Sequence, residues 1–218
     1  MHFHVITLFP KAFDSYLGES ILKRAIEDKK IKVHFYNPRD YADNKWKRVD
    51  RPPYGGGPGL VIEALPVVLA IESALKKAKK PRSLEATKLI FLSPRGKQFT
   101  NEYAKKVSKG YKNIIIVCGR YEGIDARVKK IFKTEEVSVG PFVLTGGELP
   151  AMTIIDAVSR QVPGILGNLD SIEERRVSTS EVYTRPEIFK YKGKNYRVPK
   201  VLLSGHQAKI EEWKRKQK

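Results

Sequence analysis

The chain has 218 residues, 41% of them hydrophobic, enough for a sizeable core in one large domain or two small ones. Lys and Arg number 42 against 24 Asp and Glu, a net charge of +18. That excess points to a polyanionic partner, above all nucleic acid, over a merely lysine-rich soluble surface. The lone Cys118 excludes internal disulfides and multi-cysteine metal sites, and His2, His4, His34 and His206 lack zinc-ligand spacing, so no metal site is expected. With no apolar run of about 18 residues and no signal peptide, the sequence predicts a cytoplasmic protein.

The opening "HFHVITLF" reads as a strand, and "FDSYLGESILKRAIEDK" carries apolar residues at helical spacing. "IKVHFYN" is a second strand, followed by an irregular stretch over residues 38–59 dense in Pro, Gly and charge. A helix is predicted in "LPVVLAIESALKKAKK". "KLIFLS", "NIIIVC" and "EEVSVG" are further short strands, the first two apolar almost throughout, as parallel strands covered on both faces are. This alternation predicts an α/β fold with a mainly parallel sheet. Over residues 163–186 the periodicity stops, and a stretch of that length is commonly a functional loop or a linker. After it, "VPKVLLSGHQAKIEEWKRKQK" reads as a short extended piece and a basic helix capped by Ser204.

Three of the strands run straight into loops of small or polar residues. These are Ser93-Pro94-Arg95-Gly96, then Gly119-Arg120-Tyr121-Glu122-Gly123, then Gly140 with the pair Gly146-Gly147. In open α/β sheets ligands sit at the carboxyl ends of strands, and glycines let a ligand or a second backbone come close. A pocket lined by backbone amides and carbonyls suits a nucleoside. No G-x-x-x-x-G-K-[ST] occurs, and no G-x-G-x-x-G opens a helix after the first strand. The expected ligand is therefore a nucleoside without a phosphate cradle, such as S-adenosylmethionine.

In this order, "YGGGPG", "LSPRG", "CGRYEGIDARV", "SVGPFVLTGGELPAM", "IDAVSR" and "YTRPE" closely resemble the bacterial tRNA (guanine-N1-)-methyltransferases, the TrmD family of the SPOUT superfamily. The resemblance implies a homodimer with a deep trefoil knot. It implies a SPOUT adenosylmethionine-binding domain over residues 1–162, an interdomain loop over 163–186 and a small helical tRNA-binding domain over 187–218. The chain ends at Lys218, where the family usually continues through another basic helical stretch. Carried over by motif, the cofactor contacts are Leu92, Ser93, Pro94, Gly119, Tyr121, Glu122, Gly123, Ser138, Val139, Gly140, Phe142, Leu144, Gly146, Gly147 and Pro150. The segment facing the target guanosine matches Tyr54, Gly55, Gly56, Gly57, Pro58 and Gly59. Mg2+ for activity is implied as well.

Methylation at N1 of guanine sets its own demands. The methyl of a sulfonium is already electrophilic, but guanine N1 carries a proton and has no free in-plane lone pair. A base must take the proton while a cation or donor stabilises charge growing on O6. The family's arginine for this role matches Arg160. Its loop aspartate falls on Arg175 in an ungapped alignment, and arginine cannot serve as a base at neutral pH. Asp170, Glu173 and Glu174 are the nearby carboxylates, with Glu174 and Asp170 the candidates. "WKRVDRPPYGGG" also departs from the family pattern, with Trp46, Arg51 and Pro52 where His, Asp and Arg are usual. The expected function is methyl transfer to N1 of guanine 37 in tRNA. The alternatives are a tRNA-binding and adenosylmethionine-binding module that has lost the base, or a SPOUT enzyme for another RNA position.

Overall fold

The computed structural model describes residues 1–78, 87–166 and 181–217, which fall into two compact units, Met1–Ile165 and Leu166–Lys218. The first unit is built on β1 (His2–Ile6), β2 (Lys32–Tyr36), β5 (Thr87–Gln98), β6 (Asn113–Val117) and β7 (Glu135–Ser138). These pair in parallel in the order β2-β1-β6-β5-β7. Two short strands form a separate antiparallel pair, β3 (Asp50–Arg51) inside the stretch expected to be irregular and β4 (Val61–Ile62) just after it. The mixed α/β architecture with a central parallel sheet is the one expected.

Alternation along the strands divides the core into two layers. From β6, Ile114, Ile116 and the following Cys118 join Phe3, Val5, Ile90, Leu92 and Val137 on one face. There they meet α1 (Asp14–Leu17), α2 (Ser20–Glu27), α4 (Asn101–Gly110) and α6 (Glu148–Ser159). Ile115 and Val117 join Ile6, Leu89 and Phe91 on the other face, against α3 (Ala64–Ala78) and α5 (Arg127–Ile131). Each fully buried isoleucine contributes roughly 1.5–3 kcal/mol of hydrophobic stabilisation. A strand apolar at every position can be satisfied only by such a sandwich.

The single helix expected across "FDSYLGESILKRAIEDK" is broken. Gly18 is the C-cap of α1, where a Cβ would meet the Asp14 carbonyl oxygen at 2.7 Å, and α2 opens at Ser20 with φ 51°. Beyond the sheet, the second unit contains a hairpin, β8 (Ile188–Tyr191) with β9 (Lys194–Arg197), then α7 (Lys200–Leu203) and α8 (Gln207–Lys216). The hairpin was not anticipated. Ser204 does not cap α8: it ends α7, donating from its hydroxyl to the Val201 carbonyl at 2.7 Å, and His206 precedes α8 without a side-chain cap.

On the α3 side of the sheet, His2, His4 and His34 lie with ring centroids 5.1–6.4 Å apart. His4 is buried, its Nδ1 2.9 Å from the Tyr36 hydroxyl and its Nε2 3.4 Å from Asn113 Oδ1. Burial lowers His4 from 6.5 to about 4, with Asn113 opposing and His2 and Lys77 adding repulsion. His34 is likewise lowered to about 4, by burial first and then by Lys77, His4, His2 and Lys32. The unfolded imidazoles take protons near pH 6.5 and the folded ones only near 4, so this stabilisation is complete above 6.5 and is lost as pH falls through that window. Thermal melts should show the melting temperature falling from pH 6.5 to 4, with a shallower fall in His4→Gln. Parallel profiles for the two proteins would contradict this.

Candidate active site

The carboxyl ends of β5, β6 and β7, three adjacent strands, open on a cavity of about 270 Å³. Leu92, Ser93 and Pro94 enter it from β5. Gly119, Tyr121, Glu122 and Gly123 follow β6, and Ser138, Val139, Gly140, Phe142, Leu144, Gly146, Gly147 and Pro150 follow β7. All the residues matched to cofactor contacts therefore line one cavity, together with Arg120, Val137, Val143 and Thr145, which had not been singled out.

Local backbone requirements build this rim. β5 pairs with β7 at Leu92, leaves register, and returns at Lys97 to the same Val137. The turn between closes tightly enough that a Cβ on Gly96 would lie 2.5 Å from the Val137 amide nitrogen. After β6, Tyr121 (φ 58°) and Gly123 (φ 115°) reverse the chain. A Cβ on Gly119 would meet only the Ile124 side chain at 3.9 Å, and one on Gly123 nothing within 4 Å, so the space beside these backbones is open. After β7, Ser138 Oγ donates to the Gly140 carbonyl at 2.9 Å and accepts from its amide at 3.3 Å. Open glycine backbone with apolar Leu92, Pro94, Val139 and Leu144 fits the edge and face of a nucleoside, and so fits adenosylmethionine.

Gly147 has a different task. Its N–H donates to the Gly119 carbonyl at 2.9 Å, and a Cβ on it would lie 2.7 Å from Cys118 Cα. Two backbones touch here, so a side chain would collide with protein rather than with a ligand. Next to it, the buried Glu148 opens α6, where a carboxylate suits the helix N-terminus. Thr7 Oγ1 donates to Glu148 Oε1 at 2.7 Å, and Arg120 Nε donates to Glu148 Oε2 at 2.9 Å. Arg120 also donates to the Thr145 carbonyl at 3.3 Å and lies 4.6 Å from the centre of the Phe9 ring. This network ties β1, the β6 loop and α6 together beneath the cavity. Burial pushes the Cys118 thiol well up, so it carries no nucleophilic chemistry.

The segment matched to the target guanosine adjoins this rim. Ile62 N–H donates to the Gly123 carbonyl and Glu122 N–H to the Leu60 carbonyl, each at 3.0 Å. A Cβ on Gly59 would meet Glu122 Cγ at 2.7 Å. Gly55, Gly56 and Gly57 all have positive φ with nothing near, and Tyr54 and Trp46 are exposed. Pro58 belongs to the same turn.

Arg160 is not brought to the cavity. It follows α6, whose 12 residues span about 18 Å from the end that carries Gly147. There it lines an open groove with Tyr16, Leu149, Met152 and Asp156. The Tyr16 hydroxyl donates to the Asp156 carboxylate, which holds the phenol above its usual pKa. Asp170, Glu173, Glu174 and Arg175 lie outside the described residues. Among the described residues no group of three or more His, Cys, Asp and Glu could hold a metal ion, and no helix is long and apolar enough to cross a membrane.

The fold and this cavity are those of a nucleoside-cofactor methyltransferase, and comparison with known proteins narrows the class. The profile of the family described as tRNA (Guanine-1)-methyltransferase TrmD matches residues 1–218. A tRNA (guanine-N(1)-)-methyltransferase of Alkaliphilus oremlandii is 45% identical over 98% of this chain and 85% of its own length. One from Clostridioides difficile is 43% identical over 100% of this chain and 92% of its own, and one from Caldanaerobacter subterraneus is 46% identical over 99% and 86%. The chain belongs to the TrmD family of tRNA guanine-N1 methyltransferases, as its motifs led us to expect.

Gly147→Val should cost about 1–3 kcal/mol through overpacking against Cys118, lowering the melting temperature by several degrees. Differential scanning calorimetry without ligand checks it. An undiminished melting temperature would show that the backbone approach imposes no constraint. Glu148→Ala should destabilise comparably or more, since it strands Arg120 and Thr7 at once.

Proposed function

We propose that the protein transfers a methyl group from S-adenosylmethionine to N1 of guanine 37 in tRNA, acting as a cytoplasmic homodimer. The cavity at the carboxyl ends of β5, β6 and β7, in a chain of this family, carries the reading. Its fifteen matched residues would hold the cofactor, the open glycine backbones meeting the nucleoside and the apolar side chains covering it. When bound, the cofactor supplies an electrophilic methyl on a sulfonium. The family's trefoil knot would lie where residues 138–147 pass between the β5 and β6 loops, with the Gly147–Gly119 contact at its tightest point. Residues 187–218 would form the tRNA-binding domain, joined through 163–186.

In this chemistry the protein's task is to move a proton and hold a charge. Glu174, or else Asp170, takes the N1 proton, which frees the nitrogen pair to bond the methyl carbon as its bond to sulfur breaks. Arg160 sits on O6 and stabilises the charge that the lost proton leaves there. Tyr54 to Gly59, against Glu122, would steer the base to the cofactor. The distance of about 18 Å along α6 between the cavity and Arg160 supports assembly of one site from two subunits. One subunit would bring the cofactor, the other Arg160 and the carboxylate.

Methyl transfer to a tRNA transcript carrying guanine at position 37, and none to one carrying adenine, tests the function. Turnover on neither would reject it. In single-turnover assays Glu174→Gln should slow the chemical step by about 10²–10⁴, the usual range for a general base, while calorimetric adenosylmethionine affinity is unchanged. Arg160→Ala should slow the same step. If Asp170→Asn is slow and Glu174→Gln is not, the base is Asp170; if neither slows it, neither residue is the base. A fully active species that sediments as a monomer would reject the shared site.

A further inference from the structure

We propose that the β8–β9 hairpin is a stacking platform for unpaired bases of the RNA substrate, an inference that rests on tRNA being that substrate. The register pairs Phe189 with Tyr196 and Tyr191 with Lys194. Alternate residues share a face of a strand, so Phe189, Tyr191, Lys194 and Tyr196 lie on one side of the ribbon. The Phe189 and Tyr196 rings are stacked, centroids 5.2 Å apart and planes 13° from parallel. Lys192 (φ 47°) and Gly193 (φ 79°) make the two-residue turn that this pairing needs, both central residues having positive φ. The Lys192 ammonium stands 5.5 Å from the centre of the Tyr191 ring.

No residue of the hairpin is buried, and Phe189, Tyr191 and Tyr196 are 54%, 58% and 47% exposed. A two-stranded ribbon gains little from presenting three aromatic rings to water, so the face is built to be covered. Its surroundings decide by what. Lys194 shares that face and Lys192 stands at the turn, Lys190 and Arg197 line the ribbon's other face, and with Arg185 and Lys200 at the ends they outweigh Glu187. An apolar protein surface would desolvate those cations without repaying them. Single-stranded RNA offers a π-face to each ring and a phosphate to each cation, the combination such platforms use. The contact is sequence-tolerant, and no hairpin residue is among the groups assigned to the proton or the charge, so it strengthens binding without entering the chemistry.

Phe189→Leu with Tyr196→Leu keeps apolar bulk and removes the rings. In the full chain this pair should weaken tRNA binding about tenfold or more and raise KM with kcat little changed. The salt dependence of binding should stay as in wild type, since no phosphate contact is lost. Phe189→Tyr with Tyr196→Phe keeps both rings and should retain affinity. Ultraviolet cross-linking of unaltered protein to tRNA should place adducts on Phe189, Tyr191 or Tyr196, a readout that needs no variant to fold. If the leucine pair binds tRNA like wild type and no adduct maps to the hairpin, while wild type methylates tRNA, the platform is overturned and the substrate stands. If wild type neither binds nor methylates tRNA, both fall. A leucine pair that keeps its tRNA affinity but changes sedimentation assigns the face to a protein contact and overturns the platform as well.

Discussion

Everything at the candidate active site depends on two backbones touching. Gly147 lies against Cys118 and Gly119 so closely that no Cβ fits between them, and its amide is spent on the Gly119 carbonyl. This contact pins the start of α6 to the end of β6 and so sets how far the residues after β7 can bow outward. The bow, with the turns after β5 and β6, is the cavity. Glu148 reinforces the pin electrostatically, a buried carboxylate held by Thr7, Arg120 and a helix N-terminus. Gly147 thus shapes the cavity it lines through backbone geometry.

The same pin distributes chemistry along α6. The helix begins beneath the cofactor cavity and ends at Arg160, which opens onto a groove with Tyr16 and Asp156. About 18 Å of helix separates the start of α6 from Arg160. Within one chain neither end reaches the other. Leu149 and Tyr16, both lining the groove, leave this flank of α6 partly apolar at the surface.

The sheet and the cavity were legible because their signals are local. A run such as Asn113–Val117 followed by Gly119 declares both a strand buried on two faces and a turn that needs freedom. The family motifs carried the remaining contacts. What stayed hidden was long-range or small. Thr7 and Glu148 are 141 residues apart, and only the tertiary fold brings them together, although a glutamate directly after a glycine pair at a helix start was a signal available to be read. The hairpin escaped because its alternation is of aromatics with cations, not of apolar with polar residues, and no core stands behind it. The break at Gly18 was masked by apolar spacing that continues in phase across it. Ser204 looked like a cap because it stands three positions before Gln207, but its hydroxyl serves the preceding helix.

Cys118 also has a practical side. It is the chain's one cysteine, 3% exposed, with its thiol held far from the reactive thiolate form. Toward maleimides and similar reagents the folded protein behaves as if it had no cysteine at all. A fluorophore or spin label attached through a cysteine introduced at an exposed position such as Trp46 or Lys192 would report from that position alone. Distances from such a label can therefore be measured without first engineering the native thiol away.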